Sequence, residues 1–214
     1  MTAPPICFLR GTHVRTPKGE LCVEDLKIGD LVKTLRGRSF AIKWLGRQVF
    51  KKASHHWHES VLPVRISRCA LGDGIPRTDL YLSPGHRLYL DSVLIEARLL
   101  MNGRSIVQAM PDRRDQIEYF HIELEQHEVI FAEEAAAETF QVANQREHFD
   151  NFIEYERLYG VDSAAMLPYA PVVGYNGRRS ELKRMLRRAA SAIVDIRDPV
   201  QVAYDRIAAR ELVG

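Results

Sequence analysis

The run Cys7-Phe8-Leu9-Arg10-Gly11-Thr12-His13-Val14-Arg15-Thr16-Pro17-Lys18-Gly19-Glu20 and its continuation Val23-Glu24-Asp25-Leu26-Lys27-Ile28-Gly29-Asp30-Leu31-Val32 decide the fold of this chain. Short apolar stretches are broken there by glycine, proline and charged residues, which is the pattern of short β-strands joined by tight turns. Cys7 stands at the head of the first strand. Because a thiolate is a strong nucleophile, Cys7 is the first candidate for a catalytic residue.

The next hundred residues keep this pattern of short, often alternating apolar runs. Turn signals such as Ser83-Pro84-Gly85 and Asn102-Gly103 separate the runs, and only Ala97 to Leu100 has the character of a helical turn. We therefore predict a mainly β domain up to about residue 140. The predicted strands contain Leu31-Val32, Phe40-Ala41-Ile42, Val61-Leu62-Pro63-Val64-Arg65-Ile66, Leu80-Tyr81-Leu82, Arg87-Leu88-Tyr89-Leu90, Val93-Leu94-Ile95 and Tyr119-Phe120-His121-Ile122-Glu123-Leu124.

Beyond residue 140 the apolar period changes to that of a helix. Apolar residues recur three or four positions apart over 149–159 and 182–193, which predicts two helical segments. The connector 161–176 contains two prolines and is predicted to be extended. The run 178–188 is predicted to be a basic amphipathic helix, and the usual explanation of such a run is a solvated helix face whose apolar stripe packs on its own domain. A protein partner, an acidic lipid surface or RNA would also suit such a face.

Composition narrows the class of protein. The formal charge of +2 gives no electrostatic case for nucleic acid or an anionic membrane as the main partner. No run approaches the roughly 18 apolar residues of a membrane span, and residues 1–5 lack the features of a signal peptide. Three cysteines are too few for a disulfide framework and favour a reducing compartment. We expect the chain to be cytoplasmic, or secreted by a route that needs no signal.

Two further motifs carry residues suited to proton transfer. Ser83-Pro84-Gly85-His86 lies between two predicted strands, so a tight turn on a rigid sheet would hold its polar side chains. His121 lies in the last predicted strand, and a neutral imidazole is a competent general base near physiological pH. A thiol that attacks a carbonyl needs a base and an acid for the leaving group, so these residues are the candidate partners of Cys7.

Three blocks are now defined: the opening run from Cys7, the motif Ser83-Pro84-Gly85-His86 and the strand that contains His121. In this order they closely resemble the blocks of Hint domains, which are the self-processing domains of inteins and hedgehog C-terminal regions. The resemblance covers about residues 7–140 and is nearest to stand-alone or C-terminal bacterial Hint domains. It implies a mainly β, curved Hint-type fold of short strands whose ends bring Cys7, Ser83, His86 and His121 together. It also implies that the thiol of the first cysteine attacks its own upstream peptide carbonyl.

The resemblance assigns roles to individual residues. Cys7 would be the nucleophile of an N-to-S acyl shift at the Ile6–Cys7 bond. Ser83 and His86 match the Thr-x-x-His motif of the family, so His86 would protonate the leaving amide nitrogen and the Ser83 hydroxyl would polarise the Ile6 carbonyl. His121 stands where the family commonly has an acidic residue, and it would activate the thiol or the nucleophile that resolves the thioester.

The end of the third block resembles the family less closely. His127 matches a histidine that often follows, and we assign it an accessory catalytic role. Splicing inteins end in His-Asn before Cys, Ser or Thr, whereas the corresponding run here is Glu138-Thr139-Phe140-Gln141-Val142-Ala143-Asn144-Gln145. Full splicing is therefore not expected. Cleavage before Cys7 would release a hexapeptide from the sequence as it stands.

The resulting hypothesis is a single-turnover, cysteine-dependent autoprotease. Its substrate is its own N-terminal flanking peptide, and water or a small nucleophile cleaves the thioester without splicing. No metal or organic cofactor is expected. The predicted organisation is a short leader at 1–6, a Hint-like autoprocessing domain at 7–142 and a helical C-terminal extension at 143–214. The alternatives are a catalytically silent Hint scaffold that binds a protein partner through its basic helical tail or its groove, and a cysteine hydrolase acting on other acyl groups.

Other reactive side chains lack a supporting motif. Cys22 and Cys69 are expected to pack in the core, where free cysteine behaves as a small apolar residue. The run His55-His56-Trp57-His58 concentrates imidazoles, but neighbouring residues of a strand point to opposite faces and no third ligand is fixed. A metal site is therefore not predicted.

Overall fold

The computed structural model describes residues 5–52, 57–110, 115–141, 146–160, 166–173 and 198–210. This part of the chain is mainly β, as predicted. Its strands are β1 (Phe8–Leu9), β2 (His13–Thr16), β3 (Gly19–Cys22), β4 (Leu31–Lys33), β5 (Ser39–Ala41), β6 (Trp44–Lys51), β7 (Val64–Ile66), β8 (Leu80–Leu82), β9 (Arg87–Leu90), β10 (Val93–Glu96), β11 (Ile106–Gln108), β12 (Gln116–Glu123), β13 (Val129–Ala132), β14 (Ala135–Glu138) and β15 (Val172–Val173). Its helices are α1 (Phe152–Tyr159) and α2 (Pro199–Arg210), with 3-10 turns at Val23–Asp25, Ala97–Leu100 and Arg146–His148.

The strands form two large sheets and one two-stranded ribbon. One sheet has the order β11-β7-β8-β1-β12-β6, the other has the order β15-β10-β9-β14-β13-β2-β3, and the ribbon pairs β4 with β5. The two-residue strand β1 is central in its sheet, where Phe8 pairs with Leu82 of β8 and with Phe120 of β12. Because β1 begins directly after Cys7, this pairing places Cys7 in the interior.

Residues on opposite faces of β1 enter different apolar clusters, as the two-residue period of a strand requires. Phe8 belongs to the main core. Cys7 and Leu9 belong to a second cluster that also contains Trp44 and Tyr119. Cys7 is thus surrounded by large apolar side chains and is not exposed to solvent.

The Ser83-Pro84-Gly85 turn joins β8 to β9 as predicted, and its geometry is fixed at both ends. The His86 N–H donates to the Ser83 carbonyl at 3.0 Å, and the Ala97 N–H donates to the His86 carbonyl at 2.8 Å. Both backbone groups of His86 are therefore satisfied, and its side chain is held on a rigid support.

The described part of the C-terminal region packs on the β domain at three places. Residues 149–160 follow the edge of β6, β15 adds a parallel strand beside β10, and α2 inserts Ala203 and Ile207 into the main core. The helix predicted over 149–159 is confirmed over 152–159 by α1. The predicted helix at 182–193 and the basic run at 178–188 lie outside the described residues. Within the described ranges, no helix is both long enough and apolar enough to cross a membrane.

Candidate active site

The amide group of Cys7 is held by the side chain of Ser83. The Cys7 N–H donates to Ser83 Oγ at 2.6 Å, and the Ser83 hydroxyl donates to the Pro5 carbonyl at 2.7 Å. In addition, the Ser83 N–H donates to the Cys7 carbonyl at 2.9 Å. Ser83 therefore fixes the backbone on both sides of Ile6.

This geometry differs from the role expected for Ser83. The sequence comparison predicted that the hydroxyl polarises the Ile6 carbonyl, but the hydroxyl proton is directed to the carbonyl of Pro5, one residue earlier. The hydroxyl instead contacts the nitrogen side of the Ile6–Cys7 bond as an acceptor. The physical reason is the path of the chain, which brings the Cys7 N–H and the Pro5 carbonyl to the same oxygen.

The His86 imidazole is completely buried beside this bond. Its ring lies 4.3 Å from that of Phe8, and neither ring nitrogen has a hydrogen-bond partner among the described residues. Burial lowers the pKa of His86 to about 4, whereas the charge of Glu138 and the nearby Ile6 backbone act in the opposite direction. At neutral pH His86 is thus a neutral imidazole next to the candidate scissile bond.

The His121 imidazole packs against His86 at the end of β12. The two ring centroids are 5.3 Å apart in an edge-to-face arrangement, and the Phe140 ring lies 5.2 Å from His121 on another side. His121 is buried, and neither of its ring nitrogens is hydrogen-bonded within the described part of the chain. Burial, reinforced by the nearby histidines and Arg87, holds the pKa of His121 well below its usual value. His121 is therefore also neutral.

The thiol of Cys7 shares this buried environment. Burial raises the pKa of the Cys7 thiol strongly, and the backbone of Ile6 offsets only part of the effect. The resting site consequently holds a protonated thiol and two neutral imidazoles. Such a set can exchange one proton internally without a net change of charge, which suits an intramolecular acyl shift.

The predicted accessory residue, His127, lies in a second layer. Its Nδ1 accepts the Tyr169 N–H at 3.0 Å, and its Nε2 lies 3.4 Å from Glu138 Oε2. Its charge influences both His86 and His121, so it is close to the site. Its direct contacts are with Glu138 and the C-terminal region.

The sequence reasoning missed the ion pair formed by Glu138 and Arg87. Glu138 accepts the Arg87 N–H at 3.0 Å and the Arg87 Nη1–H at 2.9 Å, with the carboxylate almost fully buried. The available signal was weak: Glu138 ends the run Ala135-Ala136-Ala137, and Arg87 directly follows His86. Two charged residues that are 51 positions apart in the sequence give no local indication of a buried ion pair.

Residues 146–149 close the second cluster over the site. The Phe149 ring stacks near His121 at 6.5 Å and lies edge-on to Trp44 at 5.3 Å. Phe149 approaches β6 so closely that a Cβ on Gly46 would lie 2.7 Å from its Cδ1. Arg146 forms a bidentate ion pair with Glu123, with N–O distances of 2.8 and 2.7 Å. This segment was predicted to be helical, but its contact with the site was not.

The remaining candidates lie away from this cluster. Cys69 is exposed, with a φ of 65°, so its expected place in the core is wrong. Cys22 is partly buried. His55 and His56 fall outside the described residues, and His58 pairs with Ser60 Oγ at 2.7 Å. Across the described ranges no group of three or more potential ligands is arranged to hold a metal.

Comparison with known proteins yields one family match. A family model described as Hint domain matches residues 6–144. No curated protein sequence matches the chain.

Solved structures similar to this chain include several inteins and an intein-like domain. The MchDnaB-1 intein is 12% identical with a TM-score of 0.41, and the match covers 60% of this chain and 98% of the intein. The bacterial intein-like domain from Clostridium thermocellum is 13% identical with a TM-score of 0.42, and the match covers 64% of this chain and 99% of that domain. The DnaB intein from Synechocystis sp. PCC 6803 is 9% identical with a TM-score of 0.41, and the match covers 63% of this chain and 98% of the intein.

Proposed function

The chain belongs to the Hint domain family, and we propose that it carries out cysteine-initiated self-cleavage at its Ile6–Cys7 peptide bond. The observation that carries the proposal is the 2.6 Å hydrogen bond from the Cys7 N–H to Ser83 Oγ. It holds the nitrogen of the candidate scissile amide between the turn that precedes His86 and the strand that directly follows the nucleophile. Precise positioning of reacting groups supplies a large part of the rate in intramolecular reactions.

The first step is an N-to-S acyl shift. The Cys7 thiol gives its proton to His121, and the sulfur attacks the Ile6 carbonyl carbon. The C–N bond then breaks as His86 delivers a proton to the Cys7 nitrogen. The two ring centroids are 5.3 Å apart, so the proton that His121 takes up has only a short distance to travel to His86. The proton lost by sulfur equals the proton gained by nitrogen, so the step is an isomerisation of amide and thiol to thioester and amine.

The second step is hydrolysis of the thioester. Water adds to the Ile6 carbonyl carbon, the C–S bond breaks, and the products are a peptide ending in an Ile6 carboxylate and a protein that begins with Cys7. A small added thiol would resolve the thioester in the same way by exchange. The run from Glu138 lacks the His-Asn pair of splicing inteins. We therefore propose cleavage without ligation, and no step in it requires a metal or organic cofactor.

The proposed partner is the flanking peptide of the chain itself. The reaction needs a reduced Cys7, and the described cysteines are all free thiols. We propose the cytoplasmic location, or the signal-less secretion, expected from the sequence. Binding of a protein partner by the basic run 178–188 remains a separate proposal.

A second candidate function is a silent Hint scaffold that binds a protein. The observation in its favour is the complete burial of Cys7, which raises its pKa and keeps the thiol protonated. If the site never opens to water and the thiol never loses its proton, the chain would retain the fold without the reaction. The two functions differ in whether the bond before Cys7 breaks.

Intact mass spectrometry of a fusion tests the proposal. A well-folded tag is placed directly before Met1, and the mass is followed with and without dithiothreitol. We expect loss of the tag together with residues 1–6, faster with the added thiol and abolished in Cys7→Ala. His86→Ala should slow it strongly, whereas Cys69→Ala serves as the matched control because this thiol is exposed. An intact tag in the wild-type fusion under both conditions would overturn the cleavage proposal and favour the silent scaffold.

A further inference from the structure

Glu138 is a buried carboxylate to which the proposed reaction gives no task. It lies at the end of β14 and is only 1% exposed. Its Oε1 accepts the Arg87 N–H and its Oε2 accepts the Arg87 Nη1–H. Burying an ionised carboxylate is costly unless it is paired, so these contacts are needed to keep the charge inside the protein.

His127 is oriented toward the same carboxylate. Its Nδ1 accepts the Tyr169 N–H, so a ring hydrogen is on Nε2, which faces Glu138 Oε2 at 3.4 Å. Burial by itself would raise the pKa of Glu138, but the His127 contact and the charge of Arg87 outweigh burial and leave this pKa below its usual value. Glu138 is therefore an anion at neutral pH.

The sheet places this anion next to His86. Ala137 of β14 pairs with Leu88 of β9, which sets Glu138 beside Arg87, the residue that follows His86. The negative charge of Glu138 favours the protonated form of His86, and it is the strongest influence that opposes burial there. Other charged or titratable groups near His86 come from the surrounding elements: Arg87 from β9, His121 from β12, His127 before β13 and Cys7 before β1.

We propose that Glu138 is a positioning residue for self-cleavage, which fixes the strand that directly follows His86 and stabilises the imidazolium that His86 becomes while it passes the proton to the Cys7 nitrogen. The inference rests on the proposed function. The proton moves between groups already named, so Glu138 neither gains nor loses a proton. Its contribution is a fixed negative charge where positive charge develops, in a buried site.

Arg87 provides a control of opposite sign. Glu138→Gln and Arg87→Gln each break the same buried ion pair, so both should lower stability. Their effects on His86 must differ, because the first removes a negative charge and the second removes a positive one. A purely structural role predicts that both variants lose stability and cleavage rate together. An electrostatic role predicts that the pKa of His86 shifts in opposite directions in the two variants.

The first measurement is the titration of His86 by NMR in the Cys7→Ala protein, in which the peptide stays intact. We expect the His86 midpoint, about 4 with both charges present, to fall in Glu138→Gln and to rise in Arg87→Gln. Fold is checked in the same samples from the amide spectra. A double variant, Glu138→Gln with Arg87→Gln, removes both charges and keeps the test open if one single variant does not fold.

The second measurement is the rate of tag loss with Cys7 present. Because one pKa unit corresponds to about tenfold in equilibrium, we expect Glu138→Gln to lower the rate by about tenfold, and more than Arg87→Gln does. Equal losses in both variants with an unmoved His86 midpoint would overturn the positioning role. An intact wild-type tag with midpoints that still move in opposite directions would overturn the cleavage proposal and support the coupling of Glu138 to His86.

Discussion

The buried imidazole of His86 couples folding to pH. Its pKa is lowered from 6.5 to about 4 by burial, so between these values the unfolded chain binds a proton that the folded protein does not. Stability must therefore fall as the pH drops from above 6.5 toward 4. The shift is worth about 3 kcal/mol at most, at 1.36 kcal/mol for each unit. The lowered pKa of His121 acts in the same direction.

Replacement of His86 by Leu should flatten this pH dependence. In a Cys7→Ala background, we expect the urea midpoint of the His86 protein to fall more steeply between pH 6.5 and 4.5 than that of His86→Leu. The exposed histidine variant His58→Leu is the matched control. If His86→Leu keeps the full slope, His86 is not the group that takes up the proton on unfolding.

At the scale of single elements, a buried ion pair ties the segment before α1 to β12. Arg146 and Glu123 form two hydrogen bonds and are almost fully buried, and the guanidinium lies 4.1 Å from the centroid of the Tyr155 ring. Removing one partner of such a pair leaves an uncompensated charge in the interior. The pair therefore holds the segment that covers His121.

Breaking this pair should cost far more than breaking a surface pair. We expect Glu123→Gln to lower the free energy of unfolding by about 3 to 5 kcal/mol, and Glu123→Leu combined with Arg146→Met to cost less than that. Asp91→Asn, which breaks the exposed pair with Arg206, should cost at most about 1 kcal/mol. Urea unfolding measures all three. Similar losses at the two sites would show that the buried pair does not anchor the segment.

The strands could be predicted where the pattern is local. The alternation in 80–82, 87–90 and 93–95, with the turn residues Ser83-Pro84-Gly85 and Asp91-Ser92 between them, led to β8, β9 and β10 at nearly the right bounds. The hairpin turn at Glu133-Glu134 was not predicted, because both residues have positive φ without a glycine to indicate it. Contacts between distant elements, such as Glu123 with Arg146, leave no local signal either.

The candidate site divides in the same way. The motifs indicated Cys7, Ser83, His86 and His121, and the structure gathers them around the start of β1, although their catalytic roles remain predictions. The hydrogen bond from Ser83 to Pro5 depends on the path of the upstream chain, which spacing does not encode. The same holds for Glu138, which becomes part of the site only through the pairing of β14 with β9.

At the scale of the whole molecule, the C-terminal helix is part of the main core. Ala203 and Ile207 of α2 are buried with Leu100 and Phe8 in one apolar cluster, and both tryptophans, Trp44 and Trp57, pack in the other cluster around Cys7. The two clusters share strands β1 and β12. If this shared framework makes folding cooperative, a destabilising substitution in α2 must also lower the unfolding midpoint reported by the tryptophans.

Ile207→Ala tests this cooperativity. Removing a buried isoleucine side chain typically costs about 2 to 5 kcal/mol, so the unfolding midpoint should fall clearly. We expect tryptophan fluorescence, which reports on the second cluster, and far-ultraviolet circular dichroism to shift together, as a single transition requires. Gln201→Ala, on the exposed side of α2, is the matched control. A fluorescence midpoint that stays at the wild-type value while the dichroism midpoint falls would mean that α2 unfolds on its own, and that the site does not depend on it.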